Sequence, residues 1–315
     1  MPRYRFGWRQ LLFTATLAAT VVGTVPVASA ALGGRWGLPA EDLAGLLAWM
    51  PERRADGAFR VLWLGDPAAL PLTGWRLDDG LAYGTSRDGP PDAGGLWPAP
   101  SPGAAGRLGR AVAVARAGGT TSLGHLLAPA AVRYVVVPLR AAPSRARSRV
   151  VPAPPDLRVA LDAQVDLRKL QGDDAVLVYE NAAWAPGRAR LHPDVDLARG
   201  DDGLAGLRGL ELAGSEPVLA ERRSPTSFAG PLNEGDRVAL AEASSPGWRL
   251  EVGGRAAPRS EAFGWTNAFA SPATGDATLR YRTSPLRYGA VAAELAVWVL
   301  VVRHLVRTRR RDGGP

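Results

Sequence analysis

Cysteine is missing from all 315 residues, which excludes a disulfide framework, thiolate catalysis and cysteine-based metal sites. Lysine is almost missing too, since Lys169 is the single one and arginine supplies the rest of the positive charge. Histidine is confined to His125, His192 and His304. The first lies in an apolar segment and the last among arginines, so a shared metal or base role is not expected, and His125 reads as a structural residue. No glycine-rich phosphate loop follows a strand-like run. The turn Leu64, Gly65, Asp66, Pro67 lacks the G-x-G-x-x-G pattern, and Pro67 removes a backbone donor that a phosphate would need. Neither a nucleotide cofactor nor a metal is expected.

Acidic residues number 30, but their arrangement is that of turns. Asp78 and Asp79, Asp173 and Asp174, and Asp201 and Asp202 are immediate neighbours. In an extended chain such neighbours face opposite ways and cannot form a catalytic carboxylate pair. The D-x-D triplet Asp194, Val195, Asp196 resembles a divalent-cation clamp, yet it sits in an Asp, Gly and Ala-rich stretch with no nucleotide fold before it.

Net charge is scarce in the middle of the chain. Residues 1–10 carry three arginines and no acid, and residues 303–315 carry five arginines against Asp312, so the tails hold seven of the eight formal positive charges. An isoelectric point near 10.6 set by tails is not the footprint of a nucleic-acid binder, which needs a basic stripe on its folded part. The tails flank apolar runs instead. Residues 11–32 are uncharged, and as a helix they extend about 33 Å against a hydrocarbon core of about 30 Å. Residues 289–302, with Leu305 and Val306, form a second run whose one acid is Glu294. Arginines border both runs, so both termini are expected on the cytoplasmic side of the plasma membrane and the body outside it. Ala28, Ser29, Ala30 also fit the end of a cleaved signal peptide, a reading that exports the body equally well.

Within the body, residues 39–50 show apolar positions at helical spacing, 59–64 (FRVLWL) form a strand stopped by a turn, and 108–117 and 121–128 read as helices. Val132, Arg133, Tyr134, Val135, Val136, Val137 is the clearest strand, closed by Pro138. A helix at 157–163 and a hairpin of 165–170 with 175–179 follow. After a linker at 193–209, short strands recur at turn signals (216–219, 237–242, 248–252, 262–268 and 277–281), with Gly253 and Gly254 as a tight turn. The expected fold class is thus α+β and membrane-anchored. An extracytoplasmic α/β domain (33–192) precedes a small antiparallel β-sandwich (210–285). Transmembrane helices at 11–32 and 286–306 flank them, with basic cytoplasmic ends at 1–10 and 307–315.

The one stretch suited to a ligand is irregular and carries Trp75, Asp78, Asp79, Tyr83, Arg87, Asp88 and Trp97. Aromatic faces beside carboxylates and a guanidinium can stack on sugar rings and bond their hydroxyls, which makes these seven the candidate glycan-binding residues. The competing reading is that the tryptophans fill space beneath a long loop. Trp248, Trp265 and Phe269 are expected in the sandwich core.

Several separated segments resemble a known family. Gly247, Trp248, Arg249, Leu250, Glu251, Val252, Gly253, Gly254, Arg255, then an aromatic strand ending near Phe269 and an exit strand with Leu279, Arg280, Tyr281, Arg282, resemble the carboxyl end of YfhO-type bacterial membrane proteins. Tyr179, Glu180, Asn181 followed by Arg188 fits the same pattern. With residues 126–137 included, the match is closer to the extracytoplasmic tail of large actinobacterial membrane glycosyltransferases. The resemblance does not extend to those proteins' multi-span and nucleotide-sugar transferase parts. It implies a non-catalytic extracytoplasmic module or subunit of a cell-envelope glycosyltransferase that positions lipid-linked sugar or polymer, with the lipid bilayer, a multi-span transferase and a glycan as partners. The alternative is a membrane-anchored structural or interaction protein with no enzymatic role.

Overall fold

The computed structural model describes Trp8, residues 13–18, Thr20, Thr24 and residues 43–312, apart from 78–79, 93–101, 141–150, 171–174 and 202. Most of the expected amino-terminal span at 11–32 therefore lies outside the described residues. The chain divides into two compact units. The first comprises residues 1–185 and 204–214, and the second 186–203 and 215–315.

The first unit is built on a six-stranded mixed sheet. Its strands are β1 (Arg60–Gly65), β2 (Trp75–Arg76), β3 (Ala82–Arg87), β4 (Val132–Pro138), β5 (Leu167–Lys169) and β6 (Val176–Asn181), in the spatial order β2-β3-β1-β4-β6-β5. Only β1 and β4 run parallel, and the helices Gly106–Arg116 and Leu123–Leu127 form the crossover between them. β4 is buried at every position, which is why its sequence is apolar apart from Arg133. One face of the sheet carries Val61, Trp63, Tyr134, Val136, Val176 and Val178. They pack with Leu43, Leu47, Met50 and Phe59 from the segment before β1. On the other face, Tyr83 lies against Gly109 of the helix Gly106–Arg116, where an added Cβ would come within 2.8 Å of the ring. The Tyr179 hydroxyl donates to Asp162 Oδ1 of the helix Pro155–Asp162 at 2.7 Å.

The α/β layer, the β5–β6 hairpin and the strands at β1 and β4 agree with the sequence reading. The expected helix at 39–50 is shorter among the described residues. It covers Leu43–Leu46, turns through 47–50 and continues as a 3-10 helix, Pro51–Asp56, that begins at a proline unable to donate into a preceding turn.

Two five-stranded antiparallel sheets make up the second unit. One has the order β13-β12-β16-β10-β9, with β9 (Glu221–Ser224), β10 (Ser227–Leu232), β12 (Trp248–Val252), β13 (Arg255–Ala256) and β16 (Gly275–Tyr281). The other has the order β14-β15-β11-β7-β8, with β7 (Arg188–Leu191), β8 (Glu216–Pro217), β11 (Arg237–Leu240), β14 (Arg259–Ala262) and β15 (Thr266–Ala270). Phe228, Leu250 and Leu279 of the first sheet join Val238, Leu240 and Phe269 of the second in one apolar cluster, the signature of a sandwich. Gly253 and Gly254 close the β12–β13 hairpin with φ of 55° and 80°, as a two-residue turn with both central residues left-handed requires. Trp248 and Phe269 belong to this core, whereas Trp265 is only partly buried and stands outside it.

The boundary between the units differs from the expected one near residue 192. β7 pairs with β11 from Leu191↔Arg237 to Arg188↔Leu240 and so belongs to the sandwich. The expected linker at 193–209 is divided as well, since 204–214 returns to the first unit, where Leu207, Leu210 and Leu212 are buried. Both features escaped the sequence pattern because β7 is two arginines alternating with two small or apolar residues, and the returning segment is too short to show a period.

A 28-residue helix, Pro285–Asp312, follows β16. Among the described residues no helix is long and apolar enough to cross a membrane. The reason here is local. Arg287 and Arg303 bound a stretch of fifteen residues, about 22 Å as a helix, and Glu294 interrupts it.

Candidate functional site

Of the seven candidate glycan-binding residues, Trp75, Tyr83, Arg87 and Asp88 lie among the described residues. Asp78, Asp79 and Trp97 lie outside the described residues. Trp75 is half-buried on the edge strand β2, opposite Tyr83 in register, with the two rings 5.7 Å apart and tilted. Tyr83 itself is buried against Gly109, and burial raises its hydroxyl pKa against the opposing pull of Arg110. A phenol so placed supports the sheet and offers no face to a sugar. Asp88 is occupied as well. It sits at φ 56°, accepts the Phe59 amide at 3.0 Å, and lies 3.4 Å from the Arg54 guanidinium, closing the end of the β1–β3 pair. Arg87 is exposed at the last position of β3. Trp75 and Arg87 are thus the two described members of the set that keep surface available to a ligand.

The Asp194–Asp196 triplet forms turns in place of a metal clamp. Asp196 Oδ1 accepts the Ala198 amide at 3.0 Å, and Asp194 faces His192 at 3.1 Å, both side chains exposed. No group of three acidic or histidine ligands fit to hold a metal occurs among the described residues.

A different polar constellation in the first unit is spread over residues far apart in sequence. Gln164 and Asp166, between the helix Pro155–Asp162 and β5, cap the helix Leu123–Leu127. Gln164 Oε1 accepts the Leu123 amide at 2.9 Å, and Asp166 Oδ2 accepts the His125 amide at 2.9 Å. The same Oδ2 meets His125 Nδ1 at 2.7 Å, and His125 Nε2 faces Glu211 Oε1 at 3.2 Å. Both ring contacts are hydrogen bonds together only when both nitrogens carry protons, because carboxylates accept and do not donate. Asp166 and Glu211 meet opposite edges of the ring, so one ion cannot bridge the three residues. The imidazole therefore ties the returning segment 204–214 to the helix Leu123–Leu127. Glu211 is 77 % exposed, so this tie adds little to stability.

Beside it, Asn181 is fully buried. Its Nδ2 donates to Gly124 O at 3.0 Å and Val132 O at 2.9 Å, and its Oδ1 accepts the Ala183 amide at 2.9 Å. All three partners are backbone, so Asn181 locks the crossover helix to the end of β6. Arg133 has an equally structural role on β4. Its guanidinium lies 4.4 Å from the Trp184 ring and 5.4 Å from that of Tyr134, and it donates to Asp56 Oδ2 at 2.8 Å and Arg53 O at 3.1 Å. Sequence reasoning singled out Asn181 only through its Tyr-Glu-Asn segment and did not single out Arg133 or Asp166. Their partners are tens of residues away.

No family model matches the chain, and no curated protein or solved structure matches it.

Proposed function

We propose that this protein is a membrane-anchored, non-catalytic module of a cell-envelope glycosyltransferase assembly, whose exported body positions a lipid-linked sugar or polymer beside a multi-span partner. The observation that carries the membrane part is the helix Pro285–Asp312. Leu295 and Trp298 are each 61 % exposed, and Val291, Val297, Val299, Leu300, Val301 and Val302 are exposed around the rest of its circumference. The stretch between Arg287 and Arg303 is apolar apart from Glu294, and exposed apolar side chains of this kind are stabilised by an apolar medium. Insertion of the fifteen-residue stretch into lipid requires Arg287 and Arg303 to extend toward the two interfaces. With the arginines after Arg303 on the cytoplasmic side, the body then lies outside.

The sugar-related part rests on the combined resemblance of Tyr179, Glu180, Asn181, of the Gly247–Arg255 segment and of residues 126–137 to glycosyltransferase tails, and on the half-buried Trp75 at the edge of the sheet. Membrane fractionation followed by an alkaline wash tests the anchor. Retention in the washed membranes is expected, and release into the supernatant sinks it. Affinity capture from detergent extracts tests the assembly, with a co-purifying multi-span transferase as the expected result and its absence favouring an interaction protein without an enzyme.

A further inference from the structure

Where the sandwich meets the helix, positive charge is concentrated on one end of one sheet. Arg249 of β12 and Arg280 of β16 are cross-strand partners, placed directly opposite each other. Like charges so paired are destabilising, so their presence calls for a compensating anion. One acid is at hand: Glu251 reaches Arg280 at 2.7 Å and Arg282 at 3.9 Å. Arg249 has no ion-pair partner among the described residues, and Arg287, exposed in the first turn of the helix, adds a fourth guanidinium beside the half-buried Arg280. Of these four arginines, only Arg280 and Arg282 pair with Glu251 among the described residues.

Two tyrosines accompany them. Tyr281 packs edge-on against Trp248 at 5.3 Å while remaining 39 % exposed, and Tyr288 is exposed on the helix. Tyrosines at this level are typical of the headgroup region of a membrane. The connection from Tyr281 to the helix is Arg282, Thr283 and Ser284, and the Arg282 amide donates to Gly247 O at 2.8 Å, which ties the connector to the sandwich. Three extended residues span about 10 Å, comparable with the Debye length of about 8 Å at physiological salt. With the helix in lipid, these guanidinium groups lie within reach of the headgroups.

We infer that this end of the sandwich, Arg249, Arg280, Arg282 and Arg287, is a docking surface for anionic lipid headgroups. The inference rests on the reading of the Pro285–Asp312 helix as lipid-inserted and adds a second, electrostatic contact that fixes the body against the bilayer. Each arginine near an anionic surface strengthens binding about fivefold.

The test is flotation of the full chain, diluted from neutral detergent, with a mixture of two vesicle populations: phosphatidylcholine alone, and phosphatidylcholine mixed with phosphatidylglycerol. The wild type is expected to favour the anionic vesicles. Arg249→Gln with Arg282→Gln, which leaves the arginines after Arg287 in place, should reduce that preference about 25-fold while leaving uptake by the neutral vesicles unchanged. A double variant that keeps the wild-type preference overturns the inference and leaves the helix reading standing. A wild-type chain that floats with neither population removes the helix reading and this inference with it. Circular dichroism of the variant, expected to match the wild type because both side chains are exposed, separates lost docking from lost folding.

Discussion

Asn181→Ala should loosen the first unit selectively. The wild-type side chain is fully buried and makes three hydrogen bonds to backbone, each between 2.9 and 3.0 Å. Alanine leaves the Ala183 amide without its acceptor and the Gly124 and Val132 carbonyls without their Asn181 donor. An unsatisfied buried polar group costs about 1–3 kcal/mol, and carbonyls with a second lone pair lie at the lower end, so the total is about 3 kcal/mol. That corresponds to roughly a 150-fold rise in the opening equilibrium. Amide hydrogen exchange of the full chain reads this directly, because β4 and β6 should lose protection while β12 and β16 keep theirs. A loss below about fivefold in β4 and β6 would refute the reasoning. A second arm probes the contact itself. A Cβ on Gly124 would lie 2.2 Å from Asn181 Oδ1 and 2.8 Å from Asp166 Cγ. Gly124→Ala should therefore cost less in the Asn181→Ala background than in the wild type, by about 1 kcal/mol or more. Strict additivity would show that the two residues do not press on each other.

Two further outcomes follow from buried polar groups. Arg133→Lys should lower the stability of the first unit by about 2 kcal/mol in chemical denaturation, because a point ammonium cannot both lie on the Trp184 ring and reach Asp56 and Arg53 as the planar guanidinium does; an unchanged midpoint would deny Arg133 that role. Tyr83, Tyr134 and Tyr179 all have hydroxyl pKa values raised first by burial, with the Asp162 hydrogen bond adding to the rise at Tyr179. The unfolded chain then releases these protons first, so stability should fall as pH climbs above about 10. In a spectrophotometric titration, Tyr83, Tyr134 and Tyr179 should ionise at higher pH in the folded chain than in urea; these three phenols ionising alike in both states would contradict this.

Local pattern made much of the architecture legible. The β-branched run at β4 and the helical spacing of the crossover are short-range features, and so is the Gly253, Gly254 turn; each appears where the sequence places it. The candidate ligand set was legible as residue types only. Trp75 is half-buried at the edge of the sheet, but Tyr83 and Asp88 are taken up by Gly109 and by the Phe59 amide, partners more than twenty residues away. Composition indicates polar and aromatic side chains but not whether the fold has already used them.

By itself the sequence determined that no disulfide or thiolate chemistry operates here, that net positive charge lies in the two tails, and that a mixed α/β segment precedes antiparallel strands. These are properties of composition and of periodicities a few residues long. Only the tertiary structure decided that β7 belongs to the sandwich, that residues 204–214 return to the first unit, and that Asn181 and Arg133 are locks. Those outcomes depend on contacts across tens of residues, where the free energy comes from burial and hydrogen-bond satisfaction that no local window contains.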